Sequence, residues 1–311
     1  MVAHANPVSR RREGIILFRG AVTAFLFLAP GIVRGQPVAA PGVLRIGTTA
    51  TVMESAAGLK ATVALATLRA FIKDETGLEN EILPQKGWRQ LANKMVTGEI
   101  QVGVFQGHEF AWCQKEQAGL KPLALAVNVN RYPVGCVVAH RDNPATDFTG
   151  LEGKILSIPR TGPACLRLFV ERECQSSGSK TASGFFAEIT APASSEDALD
   201  DVVDGNPHAT VVDRAALEDF KRSKPARFKK LKLVAHSQPF PPPVVAYYSD
   251  VLDEATRTRF QKGLLGAGRK AMGELILAHL HLTGFETAPE DFGKVLAQTH
   301  LKYPPPKEPA K

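Results

Sequence analysis

The chain has 311 residues, of which 44% are hydrophobic and 22% charged, with a formal net charge of +7. This is ordinary globular composition, long enough for two compact lobes with a core each, and it argues against a low-complexity chain. The positive balance is weak evidence for a nucleic-acid partner. Arg10, Arg11, Arg12, Arg19 and Arg34 all lie in the first 35 residues against one acid, Glu13, and removing that segment leaves about +3.

The first 35 residues read as a secretory signal. A basic stretch ends at Arg19, and an apolar run follows from Gly20 to Val33, the length of a signal h-region and short for a membrane span. Val33-Arg34-Gly35 offers small residues at the −3 and −1 positions, with cleavage before Gln36. Cleavage after Ala40 and an uncleaved anchor are the alternatives. Ser9-Arg10-Arg11 faintly resembles a twin-arginine signal, so the export route stays open between the general and twin-arginine systems. No Cys follows the apolar run, which argues against a lipoprotein. The mature protein is expected to be periplasmic or otherwise secreted, and soluble.

From Val43 onward strand and helix patterns alternate. Val43 to Gly47 is a short strand entering a Thr-rich loop. Ala61, Ala64, Leu65, Leu68, Phe71 and Ile72 form one apolar helical face. Glu81 to Pro84 is a second strand. Trp88, Leu91, Ala92 and Met95 make a second helical stripe stopped by Gly98. Val102 to Phe105 is a third strand, with a helix beginning near His108, and Leu123 to Val129 is a fourth. This order predicts a largely parallel sheet with helices on its faces.

Asn130-Arg131-Tyr132-Pro133 then reads as a crossing between lobes. A new strand runs from Val134 to Ala139, and a tight turn at Thr149 to Lys154 leads into Ile155 to Ile158. A helix follows from Pro163, then a strand from Phe186 to Thr190. A helix capped by Ser194 faces Ala198, Leu199, Val202 and Val203 inward. Strands at Ala209 to Val212 and Leu231 to Val234 complete this lobe. Pro239 and Pro241 to Pro243 form a stiff return. Val244 to Tyr248 re-enters as a strand, and two helices between Asp253 and Leu282 follow. The expected architecture is α/β, two Rossmann-like lobes joined by two crossings. Residues 43–131 with 243–295 form lobe 1, 132–238 form lobe 2, and 296–311 form a disordered tail. A cleft between such lobes is the natural ligand site, because strand C-termini and helix N-termini converge there.

Four cysteines, Cys113, Cys136, Cys165 and Cys174, allow three full pairings, which an exported chain permits. Cys165 and Cys174 are expected on one helix, ~13 Å apart and too far to bridge. Buried free thiols or one structural bridge remain the readings. No metal spacing such as C-x-x-C occurs, and no cofactor is expected. The basic run Lys221, Arg222, Lys224, Arg227, Lys229, Lys230 and Lys232 lacks interleaved aromatics apart from Phe228, so it reads as a solvated lobe surface rather than a nucleic-acid site.

Three runs in order carry a resemblance: Leu44-Arg45-Ile46-Gly47, Met95-Val96-Thr97-Gly98-Glu99-Ile100-Gln101-Val102-Gly103-Val104, and Gly150-Leu151-Glu152-Gly153-Lys154. Val211-Val212-Asp213 before a helix and Ser237 to Pro241 on the return extend it. The ordered set, over roughly residues 43–295, resembles type 2 periplasmic binding proteins, with the phosphate/phosphite/phosphonate-binding (PhnD-like) components of ABC transporters as the subgroup. The resemblance implies a Venus-flytrap mechanism, in which ligand contacts from both lobes favour the closed state. It implies a small-molecule ligand, a membrane permease as partner and a monomer. A ligand-sensing protein that docks on a membrane receptor kinase is the alternative. An enzyme on the same scaffold is disfavoured, since no nucleophile elbow, helical metal pair or phosphate loop is present.

Four segments are expected to line the cleft, with Tyr132 beside them in the first crossing. The loop Thr48, Thr49, Thr51 and Glu54 offers hydroxyls and amides for an oxyanion, or plain helix capping. Gln106, His108 and Glu109 stand at a helix start after a strand end. Arg160, Thr161, Ala164 and Cys165 occupy a strand-to-helix turn that in the phosphonate-binding relatives is a Ser/Thr-rich anion cradle. Here only Thr161 keeps a hydroxyl, and Pro163 removes an amide donor. Asp213 corresponds to an acid that in the relatives can hold a ligand amine; it also reads as an N-cap. Glu54, Glu109 and Asp213 would repel a bare oxyanion if all faced the cleft, because an unpaired carboxylate in a dry site outweighs the gain from helix N-termini. Either most of these acids point away, or the ligand is a zwitterion.

Overall fold

A computed structural model describes residues 42–49, 60–179 and 181–306, with side chains in the first helix from residue 65 onward. The leader, and with it the expected signal peptide, lies outside the described residues. No described helix is long and apolar enough to cross a membrane.

The first lobe is built on a six-stranded sheet. Its strands and helices in chain order are β1 (Val43–Thr49), α1 (Lys60–Thr76), β2 (Glu79–Gln85), α2 (Trp88–Val96), β3 (Val102–Phe105), α3 (Gly107–Glu116) and β4 (Leu120–Val127). After the second lobe it adds β10 (Val244–Tyr248), α9 (Glu254–Leu265), α10 (Ala271–His279), β11 (Gly284–Glu286) and α11 (Phe292–Lys302). The sheet order is β11-β4-β10-β3-β1-β2. Strands β1, β2 and β3 pair in parallel, whereas β10 lies antiparallel between β3 and β4, and β11 is antiparallel to β4. The sheet is therefore mixed rather than largely parallel. The returning strand enters from the other lobe, so it needs no helical crossover and fills the slot between β3 and β4 directly.

The second lobe holds β5 (Gly135–His140), β6 (Ile155–Ser157), α4 (Cys165–Ser176), α5 (Ala182–Phe185), β7 (Glu188–Thr190), α6 (Ser195–Val203), β8 (Ala209–Asp213), α7 (Arg214–Ser223), α8 (Pro225–Phe228) and β9 (Leu231–His236). Its five strands run β7-β6-β8-β5-β9. Here β5 is antiparallel to both β8 and β9, and β6 is parallel to β7 and β8.

Local sequence explains most elements. The α2 stripe buries Trp88, Leu91, Ala92 and Met95 at helical spacing. The helix ends where Gly98 takes a φ of 78°, a conformation that costs glycine little. In α6, Ser194 caps by accepting from the Asp197 amide, and Ala198, Leu199, Val202 and Val203 are buried. Each sheet thus carries apolar helices on its faces, and the cores of the two lobes are separate clusters.

Two crossings, 128–134 and 237–243, join the lobes. They are laced together: Gly135 donates its amide to the Ser237 hydroxyl at 2.9 Å, Ser237 donates back to the Gly135 carbonyl at 2.8 Å, and Phe240 donates to the Pro133 carbonyl at 2.9 Å. Lys224 pairs with Glu196 and Asp200, both at 2.5 Å, and Arg227 pairs with Asp200 and Asp204 at 2.5 and 2.7 Å. Two of the run's seven basic residues thus tie α8 and its flank to α6.

The chain beyond residue 296 differs from the expected disordered tail. α11 continues to Lys302, and Tyr303 is buried. Apolar Phe292 and Leu296 give this helix a face that packs into the first-lobe core; Gly293 and Lys294 between them, with Gln298 and Thr299 after, mask that face in the sequence.

Candidate ligand-binding site

A cavity of about 200 Å³ opens between the lobes. The first lobe supplies Gln106, Gly107 and His108 from the β3–α3 junction, Ala126 from β4, and Leu280, His281 and Leu282 from the turn before β11. The second lobe supplies Thr161, Gly162, Pro163 and Cys165 ahead of and at the start of α4, with Asp213 and Ala215 at the start of α7. The crossings close the back with Asn128, Asn130, Arg131, Pro133 and Pro241 to Pro243. The volume lies below the ~300–1,000 Å³ of drug-sized pockets, which favours a small solute.

The first-lobe wall is held by side chains. Gln106 and Glu109 form a reciprocal capping box at the start of α3. The Glu109 carboxylate accepts from the Gln106 amide at 3.0 Å and from the Thr49 hydroxyl at 2.8 Å, all of it buried. Glu109 is therefore spent on the scaffold and is not part of the cleft lining, nor is Thr49. Gly107 has to be glycine, because a Cβ there would stand 1.9 Å from the Pro241 carbonyl oxygen in the second crossing. His108 reaches the cleft while 7% exposed. Burial lowers its imidazole to about 4, so it is neutral at physiological pH. Its ring stands edge-on to Trp112 at 5.0 Å.

The second-lobe wall is more open. α4 starts without a side-chain cap, since Ala164 occupies the cap position. Thr161 lines the cleft, with its hydroxyl donating to the Ala193 carbonyl at 3.1 Å. Cys165 is buried at the first turn of α4, and burial, with Asp213 adding to it, pushes its thiol up to about 12, so it is an inert lining group. Asp213 caps α7, accepting from the Ala216 amide at 2.7 Å, and also faces the cleft. The N-cap expectation is met, and the residue also stands in the cavity lining. Burial raises its carboxyl above the ordinary value, and among the described residues no ion pair reaches it.

Other expected residues stand elsewhere. Arg160 is exposed and turns its Nε to the Ala191 carbonyl at 2.9 Å, outside the lining. Ala164 also lies outside the lining. Tyr132 directs its hydroxyl to Asp291 at 3.3 Å and is not among the lining residues. Thr48 is buried at the end of β1, its hydroxyl without a partner among the described residues. Thr51 and Glu54 lie outside the described residues. Sequence reasoning missed Arg131, whose Nε meets Glu286 at 2.5 Å while its side chain lines the cleft. Its signal in the sequence is its place in the first crossing, next to Tyr132. It also missed His281, which lines the cavity from a left-handed backbone at φ 53°. All four cysteines are free and buried. Cys165 and Cys174 do share α4.

Two mixed α/β lobes with a solute-sized cavity at their junction define a periplasmic binding protein of type 2. The family model for the periplasmic substrate-binding protein of phosphonate ABC transporters matches residues 52–292, and the chain belongs to that family. The family consists of substrate-binding proteins, not enzymes, and its setting is the periplasm.

Solved structures agree on the fold. XAC2383 from Xanthomonas citri bound to ATP has a TM-score of 0.58 at 16% identity, covering 84% of this chain and 97% of that one. PhnD1 from Prochlorococcus marinus in complex with methylphosphonate has a TM-score of 0.55 at 13% identity, covering 85% and 98%. A binding protein component of an ABC phosphonate transporter from Pseudomonas aeruginosa has a TM-score of 0.53 at 12% identity, covering 84% and 86%. No curated protein matches the chain in sequence.

Proposed function

We propose that the chain is exported by a cleaved leader, receives a small zwitterionic phosphonate between its lobes and presents the closed form to a membrane permease. The observation that carries the ligand class is Asp213: an acid half-buried in the cleft, raised by burial and met by no basic side chain among the described residues. Such a carboxylate stabilises a ligand ammonium and repels a bare oxyanion. The anionic head then lies toward the uncapped start of α4, where backbone amides favour negative charge. With Glu109 turned into the scaffold, one acid is left among the described residues of the expected three, which suits a single ligand amine.

Isothermal titration with 2-aminoethylphosphonate, methylphosphonate, phosphate, phosphite and ATP tests this. The aminated phosphonate is expected to bind at least about tenfold tighter than methylphosphonate, and Asp213→Asn to remove that advantage. Equal or tighter binding of methylphosphonate, phosphate or ATP refutes the zwitterion reading. An ATP preference would align the chain with its Xanthomonas citri neighbour instead.

A further inference from the structure

We propose that the segment Tyr303–Pro304 is a third tie between the lobes, and that Tyr303 and Trp112 are positioning residues for the cleft histidine. The chain passes between lobes at 128–134 and 237–243, and it passes a third time after α11. That helix belongs to the first lobe: Phe292 and Leu296 are buried in its core, and Phe292 stacks on Phe110 of α3 with ring centres 6.4 Å apart. One residue past the helix, Tyr303 is 1% exposed and packs in the second-lobe core cluster. Its ring lies 4.5 Å from that of Phe240 in the second crossing.

Polar contacts hold the segment from both sides. From the first lobe, the Trp112 indole N–H donates to the Tyr303 carbonyl at 2.7 Å, in a buried setting. From the second lobe, the Arg172 guanidinium on α4 donates to the Pro304 carbonyl. Helix α11 feeds straight into the tie, since the Tyr303 amide still donates to the Thr299 carbonyl at 2.8 Å.

This places the tie in line with the ligand site. His108 lines the cavity and rests edge-on against Trp112; Trp112 holds Tyr303; Tyr303 packs on Phe240, whose amide closes the second crossing onto Pro133. Any swing of one lobe about the crossings has to move Tyr303 against Phe240 or strain the Trp112 and Arg172 contacts. The segment therefore limits how far the lobes open and keeps the His108 ring in place when they do. The inference is independent of which solute is bound.

Spin labels at Lys86→Cys in the first lobe and Asp201→Cys in the second, both exposed, report the interlobe distance by double electron–electron resonance without ligand. Tyr303→Ala is expected to broaden that distribution toward longer distances. Leu301→Ala, on the exposed side of α11, is expected to leave it unchanged. The double variant Trp112→Phe/Arg172→Ala keeps the buried ring and removes only the two polar contacts; it is expected to broaden the distribution as well. A folded Tyr303→Ala protein with a wild-type distance distribution overturns the proposal. Should Tyr303→Ala fail to fold, a wild-type distribution in the double variant overturns it equally. Because the distance is read on ligand-free protein, failure of the phosphonate reading leaves this test intact.

Discussion

Gln106 and Ala164 occupy the cap positions of α3 and α4, whose first turns bring His108 and Cys165 to opposite walls of the cleft. At Gln106 the helix is closed by its own side chains: the capping box with Glu109 takes up the free amides, and Thr49 binds the same carboxylate from β1. At Ala164 there is no side-chain cap, and the turn before it is Thr161-Gly162-Pro163. One wall is a finished piece of scaffold that carries a neutral histidine. The other has no side-chain cap at its helix start and sets one acid raised by burial, Asp213, in the lining. The two walls therefore differ in how their helix starts are satisfied, one by side chains and the other without them.

The largest expected effect that would break this contrast concerns His108. Its folded imidazole is lowered to about 4 from an ordinary 6.5, with burial as the cause. The unfolded chain takes up a proton below pH ~6.5 while the folded one does not until about 4. The stabilising effect of keeping this ring neutral is therefore fully present above that window and lost as pH falls through it, by about 3 kcal/mol in all. Urea midpoints at pH 7, 5.5 and 4.5 should fall less steeply in His108→Gln than in the wild type. Parallel slopes would mean that the ring is not sealed in the first wall.

A smaller effect is expected from Glu109→Ala. It strips the cap, leaves the Gln106 amide and Thr49 hydroxyl to find new partners, and should cost about 2 kcal/mol in urea unfolding. A cost near zero would show that the first wall does not depend on this carboxylate. The smallest is Arg160→Ala. The residue is exposed and bound to the Ala191 carbonyl outside the cavity, so stability should move by less than about 0.5 kcal/mol, with ligand affinity by titration unchanged. A large loss of affinity would bring Arg160 back into the second wall.

Much of the fold could be read before the structure. The periodicities at Trp88 to Met95 and Ala198 to Val203, the Ser194 cap and the proline-stiffened return are local signals, and each is found in its expected element. Val244 to Tyr248 was legible as a strand, but its antiparallel insertion between β3 and β4 was not, because pairing partners are distant in sequence. For the site, Gln106, His108, Thr161, Cys165 and Asp213 are among the residues that line the cavity. Arg160, Tyr132, Glu109 and Thr49 do not, since each finds a partner contributed by another segment: Ala191, Asp291, and each other across β1 and α3.

The sequence by itself determined the succession of strands and helices, the two crossings, the helix starts that face the cleft and the family to which the chain belongs, because these follow from short-range pattern and from the order of motifs. Only the tertiary structure decided that, among the described residues, Glu109 is taken up by the scaffold while Asp213 lines the cleft, that Arg131 and His281 join it, and that Tyr303 ends in the core of the lobe opposite its own helix. A side chain's direction depends on which neighbour satisfies it, and those neighbours are set by packing between segments far apart in the chain.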